Sequence, residues 1–229
     1  MTARDLGSAA RREVRSLPQG LADQVARHLV MARELLPEDA ELAYRHTLEA
    51  RRHAARLGVV REACGIAAYR TGRWAEAAAE LRAARRLSGS DELLPLIADC
   101  ERGLGRPERA IALARSDEVG NLDVASTVEM RIVESGARRD LGQHDVAVVS
   151  LQIPELDTGR VRPWSARLFY AYAEALLAAG REEEAKEWFA RAADADAAEE
   201  TDAPDRLAEL EGLIIVDAAD EEDDDDAWP

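Results

Sequence analysis

A glycine followed five positions later by an alanine recurs through the chain, and this recurrence limits the possible folds more than any other feature. The pairs are Gly72/Ala77, Gly105/Ala110, Gly142/Ala147 and Gly180/Ala185, and an earlier copy keeps only its alanine, Ala43. Successive alanines stand 34, 33, 37 and 38 residues apart. A period in this range marks an array of helical hairpins. Gly72 suits the left-handed turn that ends a first helix, a conformation that costs any residue with a Cβ. Ala77 then lies on the inward face of a second helix, where two backbones approach closely. Ala84 returns to that face, and Leu81 fills the space between them. The alanine pair recurs as Ala43/Ala50 and Ala185/Ala192, with Phe189 in the place of Leu81 in the last copy.

The composition agrees with closely spaced helices. It is 47% hydrophobic but only 4% aromatic, and alanine makes up much of the difference. A β-sandwich or barrel would need alternating Val, Ile and aromatic residues instead. Each repeat needs only its neighbours to bury its apolar face, so 229 residues need not divide into separate globules. The two cysteines, Cys64 and Cys100, have no CxxC or histidine partner spacing and read as reduced, buried thiols. No apolar run approaches the length of a membrane span, and the N-terminal residues lack the hydrophobic core of a signal peptide. The expectation is a soluble, cytoplasmic protein.

The residues carrying the repeat resemble the tetratricopeptide repeat (TPR) family. The last copy matches through Phe169, Ala173, Leu176, Gly180, Ala185, Phe189 and Ala192. The second matches through Gly65, Gly72, Ala77, Leu81 and Ala84, and the third through Leu94, Ala98, Gly105 and Ala110. The fourth departs from the pattern, with Arg131, Glu134 and Arg138 where apolar residues are usual, which implies a first helix rotated or shifted in register. The first is supported by Ala43, Ala50 and spacing. The resemblance implies an all-α, right-handed solenoid of about five TPR-like helix-turn-helix units over 18–199.

Around that core the chain reads as three further segments. Residues 1–17 form a basic N-terminal arm with Arg4, Arg11, Arg12 and Arg15, either frayed or a short helix. A C-terminal capping helix is expected over 200–216. Residues 217–229 form a tail whose carboxylates repel one another and favour disorder. Charge is polarised along the chain. Residues 1–90 carry 16 basic and 11 acidic side chains, whereas 181–229 carry 4 and 20, against a total of −16. The loop QIPELDTGRVRPWS offers Arg160, Arg162 and Trp164 as a contact patch, although Trp164 also fits a role packed beside Phe169.

Catalytic and cofactor motifs are absent: there is no phosphate loop, nucleophile elbow, HExxH or Cys/His cluster. His46 and His53 share one helix face, but a zinc site needs further ligands, so a solvated or hydrogen-bonded pair is expected. The protein therefore reads as neither an enzyme nor a holder of metal or cofactor. The resemblance implies a concave groove lined by first helices, facing His28, Glu62, Tyr69, Arg70, Asp99, Arg102, Arg139, Arg167, Tyr170 and Glu174. Tyr69, Arg70, Arg102, Arg139, Arg167 and Tyr170 are the candidate partner-binding residues. Arg70, Arg102 and Arg139 recur just before the turn, where guanidinium forks can grip acidic side chains, or else pair with carboxylates of neighbouring helices. The implied function is a monomeric, non-catalytic scaffold or adaptor that receives a protein or peptide partner, acidic ones included. The other reading is a nucleic-acid-associated regulator using the basic first third, disfavoured because no aromatic residues interleave its basic arm for stacking.

Overall fold

Four helices of the chain end in the same turn. The computed structural model describes residues 5–157 and 159–212. Among these residues the glycine after each of the helices Gly58–Arg70, Leu94–Gly103, Val124–Asp140 and Ser165–Ala178 is left-handed. Their φ values are 71° at Gly72, 69° at Gly105, 69° at Gly142 and 74° at Gly180. The next amide reaches back five residues: Arg73 N–H donates to Ala68 O at 2.8 Å, Arg106 to Glu101 at 2.9 Å, Gln143 to Arg138 at 2.9 Å and Arg181 to Leu176 at 2.9 Å. This bond satisfies a carbonyl the helix end leaves open, and it reverses the chain only where a residue accepts positive φ. The recurring glycine is thus the residue that sets the repeat.

The described residues form twelve α-helices and no strand. They are α1 (Ser8–Val14), α2 (Gln19–Leu35), α3 (Ala40–Ala54), α4 (Gly58–Arg70), α5 (Trp74–Ser88), α6 (Leu94–Gly103), α7 (Pro107–Ala114), α8 (Val124–Asp140), α9 (His144–Leu151), α10 (Ser165–Ala178), α11 (Glu182–Ala195) and α12 (Ala203–Leu210). Two compact units divide them at Gln143 and His144. In the first, α2 packs on α3, α3 on α4, α4 on α5, α5 on α6, α6 on α7 and α7 on α8. In the second, α10 packs on α9 and α11, and α12 covers α11. Short 3-10 helices, Asp117–Asn121 and Pro154–Asp157, occupy the two loops that lengthen the sequence period.

The inward alanines are buried completely. Ala43, Ala50, Ala77, Ala110, Ala147, Ala185 and Ala192 are all 0% exposed. Leu81 and Phe189 are as deeply buried, in the first and second unit respectively. Leu81 fits because its partner on α4 is Gly65: a Cβ there would lie 2.6 Å from Leu81 Cγ. Residues 8–14 form the short helix α1, with Leu6 and Val14 buried against α2 and α4. Glu13 of α1 caps α4, accepting from the Val59 amide at 3.1 Å. The C-terminal helix spans Ala203–Leu210, and residues 213–216 and the acidic tail lie outside the described residues.

Where the fourth copy departs from the apolar pattern, the structure buries a charge cluster. Glu134 of α8 is 3% exposed and Arg138 is 9% exposed. Glu134 is reached by Arg131 at 2.9 Å, Arg138 at 3.3 Å and Arg115 at 3.4 Å. Two more buried glutamates repeat the arrangement. Glu80 is held by Arg51 and Arg61, each at 2.7 Å, and Glu101 by Arg82 at 2.5 Å with Arg106 and Arg109 behind it. A buried carboxylate is stable only when paired and hydrogen-bonded, so arginine substitutes here for apolar filling. This accounts for much of the positive charge of the first unit.

Both cysteines are free and buried, and burial pushes Cys64 up to about 11 and Cys100 up to about 12. The histidines form two contacts. His28 Nδ1 and His46 Nδ1 lie 3.0 Å apart, and His53 Nε2 lies 3.2 Å from Gln24. One Nδ1 of the close pair must carry the proton and the other must accept. Burial first, and then His46, lower the His28 pKa below its ordinary 6.5, with His53 and Arg27 adding to the effect and Glu49 opposing it. The unfolded chain therefore binds more protons below pH 6.5 than the folded one. Stability is fully present above pH 6.5 and declines as pH falls from there towards the lowered folded value. Urea titrations at pH 7.5 and 5.5 are expected to show a larger loss for the wild type than for His28→Leu.

Candidate functional site

The first helices of the repeats in the first unit, α2, α4, α6 and α8, carry most of the candidate binding residues. Along α4, Glu62, Ile66 and Tyr69 follow helical spacing, with Arg70 next to the last of them. Ile66, Tyr69 and Leu96 are only partly buried and pack on the edge of the core formed by α4, α5 and α6. An apolar strip thus runs beside the charged positions.

Of the concavities on this unit, two are lined by residues expected in the groove. One, of about 220 Å³, lies between α1, α2 and α4. Leu6 and Ala10 form one wall, Leu29, Ala32 and Leu36 a second, and Val59, Ala63 and Ile66 a third. Glu62 is the only carboxylate in its lining, and Arg33 the only cation. Exclusion of water raises the Glu62 pKa, and the nearby carboxylates Glu13 and Glu92 raise it further. The other concavity, of about 610 Å³, is polar and lies at the C-terminal ends of α6 and α8, lined by Trp74, Asp99, Arg102, Glu108 and Asp140 among others.

The arginine row does not present three equivalent guanidinium groups. Arg102 is bracketed by two aspartates: Nη1 donates to Asp99 at 2.7 Å and Nε to Asp140 at 2.8 Å. Its guanidinium rests on α8 at Gly136, where a Cβ would stand 2.7 Å from Cζ. The Tyr69 hydroxyl donates to the same Asp99, and the Tyr69 ring meets Trp74 edge-on at 5.2 Å. Tyr69, Asp99, Arg102 and Asp140 therefore form one chain of contacts linking α4, α6 and α8. Arg139 is half-buried at the end of α8. Arg70 is exposed and makes no hydrogen bond or ion pair among the described residues. As a cation in the last turn of α4, it also complements the negative end of that helix.

Arg167 and Tyr170 belong to the second unit. Arg167 is exposed near the start of α10, and Tyr170 is half-buried. The Tyr170 ring meets Phe189 edge-on at 5.4 Å. Burial and then a hydrogen bond to Asp202 keep its hydroxyl protonated well above the usual range. Glu174 is taken by Arg206 of α12 at 3.1 Å. The ring edge-on to Phe169 is Trp188, at 5.4 Å, while Trp164 stands at the entry to α10 with its indole N–H buried.

The apolar concavity and its carboxylate do not emerge from sequence reasoning. Repeat spacing puts Glu62 on the groove side, but its isolation depends on α1 folding over α2 and α4, which no repeat pattern signals. Among the described residues, no three His, Cys, Asp or Glu side chains are grouped to hold a metal ion, and no helix is long and apolar enough to cross a membrane.

Comparison with known proteins gives a fold. No protein-family model matches the chain, and no curated protein matches it. Among solved structures, the crystal structure of a thermophilic TPR protein from Thermus thermophilus is similar over 82% of this chain and 100% of that one. The TM-score is 0.63 and the sequence identity 18%. With its repeated glycine turns, inward alanines and this structural likeness, the chain has a TPR-like helical-repeat fold.

Proposed function

We propose that the protein is a non-catalytic interaction scaffold, working in the cytoplasm, whose first unit receives a peptide or helix of a partner protein along the face of α2, α4, α6 and α8. A TPR-like fold suits protein partners in general. The observation that carries the finer reading is the contrast along α4. Arg61, the other arginine of α4, is spent on the buried Glu80, whereas Arg70 is exposed without a partner among the described residues, beside a partly open apolar strip of Ile66 and Leu96. An exposed guanidinium next to apolar surface suits a segment with an acidic side chain or terminal carboxylate. Tyr69, Arg102 and Arg139 then act mainly by holding the wall, and Arg167 and Tyr170 offer a second contact surface on the other unit.

The test is capture from native lysate with wild type and Arg70→Glu. The expected result is at least a tenfold loss of the captured protein with unchanged helical content, because a favourable charge-assisted contact becomes a repulsive one. Undiminished capture would move the binding surface away from α4.

A further inference from the structure

We infer that the concavity between α1, α2 and α4 takes an apolar side chain of the partner segment, and that a lysine or arginine beside it in that segment pairs with Glu62. This rests on the groove reading above and gives its ligand a chemistry.

Size bears on the occupant first. About 220 Å³ falls short of the roughly 300–1,000 Å³ of small-molecule pockets, and suits one or two side chains. The walls are mostly aliphatic, with Leu29, Leu36, Val59 and Ile66, and the polar side chains among them are Glu62, Arg33 and Thr47, whose hydroxyl already donates to the Tyr44 carbonyl at 2.7 Å. Arg33 is already engaged, donating to the Asp5 carbonyl at 2.8 Å and lying 4.0 Å from Glu34. Glu62 is not: no hydrogen bond or ion pair reaches it among the described residues.

This contrasts with the treatment of other carboxylates in the unit. Glu80, Glu101 and Glu134 each have two or more arginines. Glu62 is half-buried, and Glu13 and Glu92 act on it with charge of its own sign. A desolvated carboxylate among carboxylates repels an acidic ligand and favours a cation that arrives with its own apolar anchor. Glu62 and Arg70 are eight residues apart on one helix, about 12 Å along its axis. An extended peptide covers that distance in about four residues. The ligand that satisfies both ends has a basic residue and an acidic one about four positions apart, with the apolar anchor next to the basic residue.

The experiment uses the full chain and three series of synthetic twelve-residue peptides. Each peptide carries a Leu-Leu pair followed by Arg, Ser or Glu, with an aspartate four residues to either side of that position. Fluorescence anisotropy is expected to show the Arg series binding about tenfold or more tighter than the Ser series, the Glu series weakest. Glu62→Gln, nearly the same shape and checked by circular dichroism, should bring Arg and Ser within about twofold while keeping the Ser affinity. A preference that survives Glu62→Gln overturns the inference, as does a Glu series that binds as tightly as the Arg series. Equal binding by all three series sinks the pairing with Glu62 but not the groove, whereas no binding by any series sinks both. A preference for Arg that emerges only after removal of residues 1–4 gives the concavity to the chain's own first residues, and overturns a partner as its occupant.

Discussion

Glu134→Ala is expected to lower the free energy of unfolding by about 3–5 kcal/mol, measured by urea denaturation followed by circular dichroism. The cause is what remains behind. Arg138 keeps only 10% of its side-chain surface exposed, and its other partner is Gln143 at 2.6 Å. Without Glu134 its charge stays inside the first unit with no counter-ion. Arg115 and Arg131 are 63% and 39% exposed and can turn to water, so they add little to the loss. The double replacement Glu134→Met with Arg138→Leu removes both charges together and is expected to recover most of the stability, since well-packed apolar residues often replace a buried ion pair at no cost. A single mutant within about 1 kcal/mol of wild type would show that the cluster is hydrated rather than buried.

Phe189→Ala is expected to cost a similar amount, about 3–5 kcal/mol, in the second unit. Phe189 is fully buried and fills the place that Leu81 takes in the first unit. Its ring meets Tyr170 edge-on, and the Arg206 guanidinium of α12 lies 5.8 Å from its centre. Truncation leaves a cavity between α10 and α11 that small neighbours cannot close, because Ala185 and Ala192 flank it on α11. Phe189→Leu reproduces the residue of the earlier repeat and should cost less than half as much. Equal effects of the alanine and leucine replacements would mean that ring packing contributes little at this site.

The elements of the repeat were legible in the sequence because they answer to local rules. A glycine at positive φ is required wherever a helix must turn back at once, and Gly72, Gly105, Gly142 and Gly180 all meet that need. Alanine at the close approach is fixed by the distance between two backbones, so Ala77 and Ala185 could be placed from spacing alone. The ion pairs answer to no such rule. Arg102 finds Asp140 at a separation of 38 residues, Arg73 finds Glu41 across 32, and Arg61 finds Glu80 across 19. An arginine on a helix surface has several carboxylates within reach, and only the placement of neighbouring helices selects one. The same holds for Glu134. An apolar residue is usual at its position, and a carboxylate there looks like a disturbed helix until its three arginines are located. The isolation of Glu62 is the converse case, a charge that the packing leaves without a partner.

The proposed docking surface is the first-helix face of the first unit. Hydrogen–deuterium exchange of the full chain, alone and bound to the protein it captures from lysate, tests this most directly. New protection is expected in Gly58–Arg70 and Leu94–Gly103, with Ala40–Ala54 and Trp74–Ser88 unchanged. Protection confined to Ala40–Ala54 and Trp74–Ser88, with the first helices exchanging as in the free protein, would contradict it.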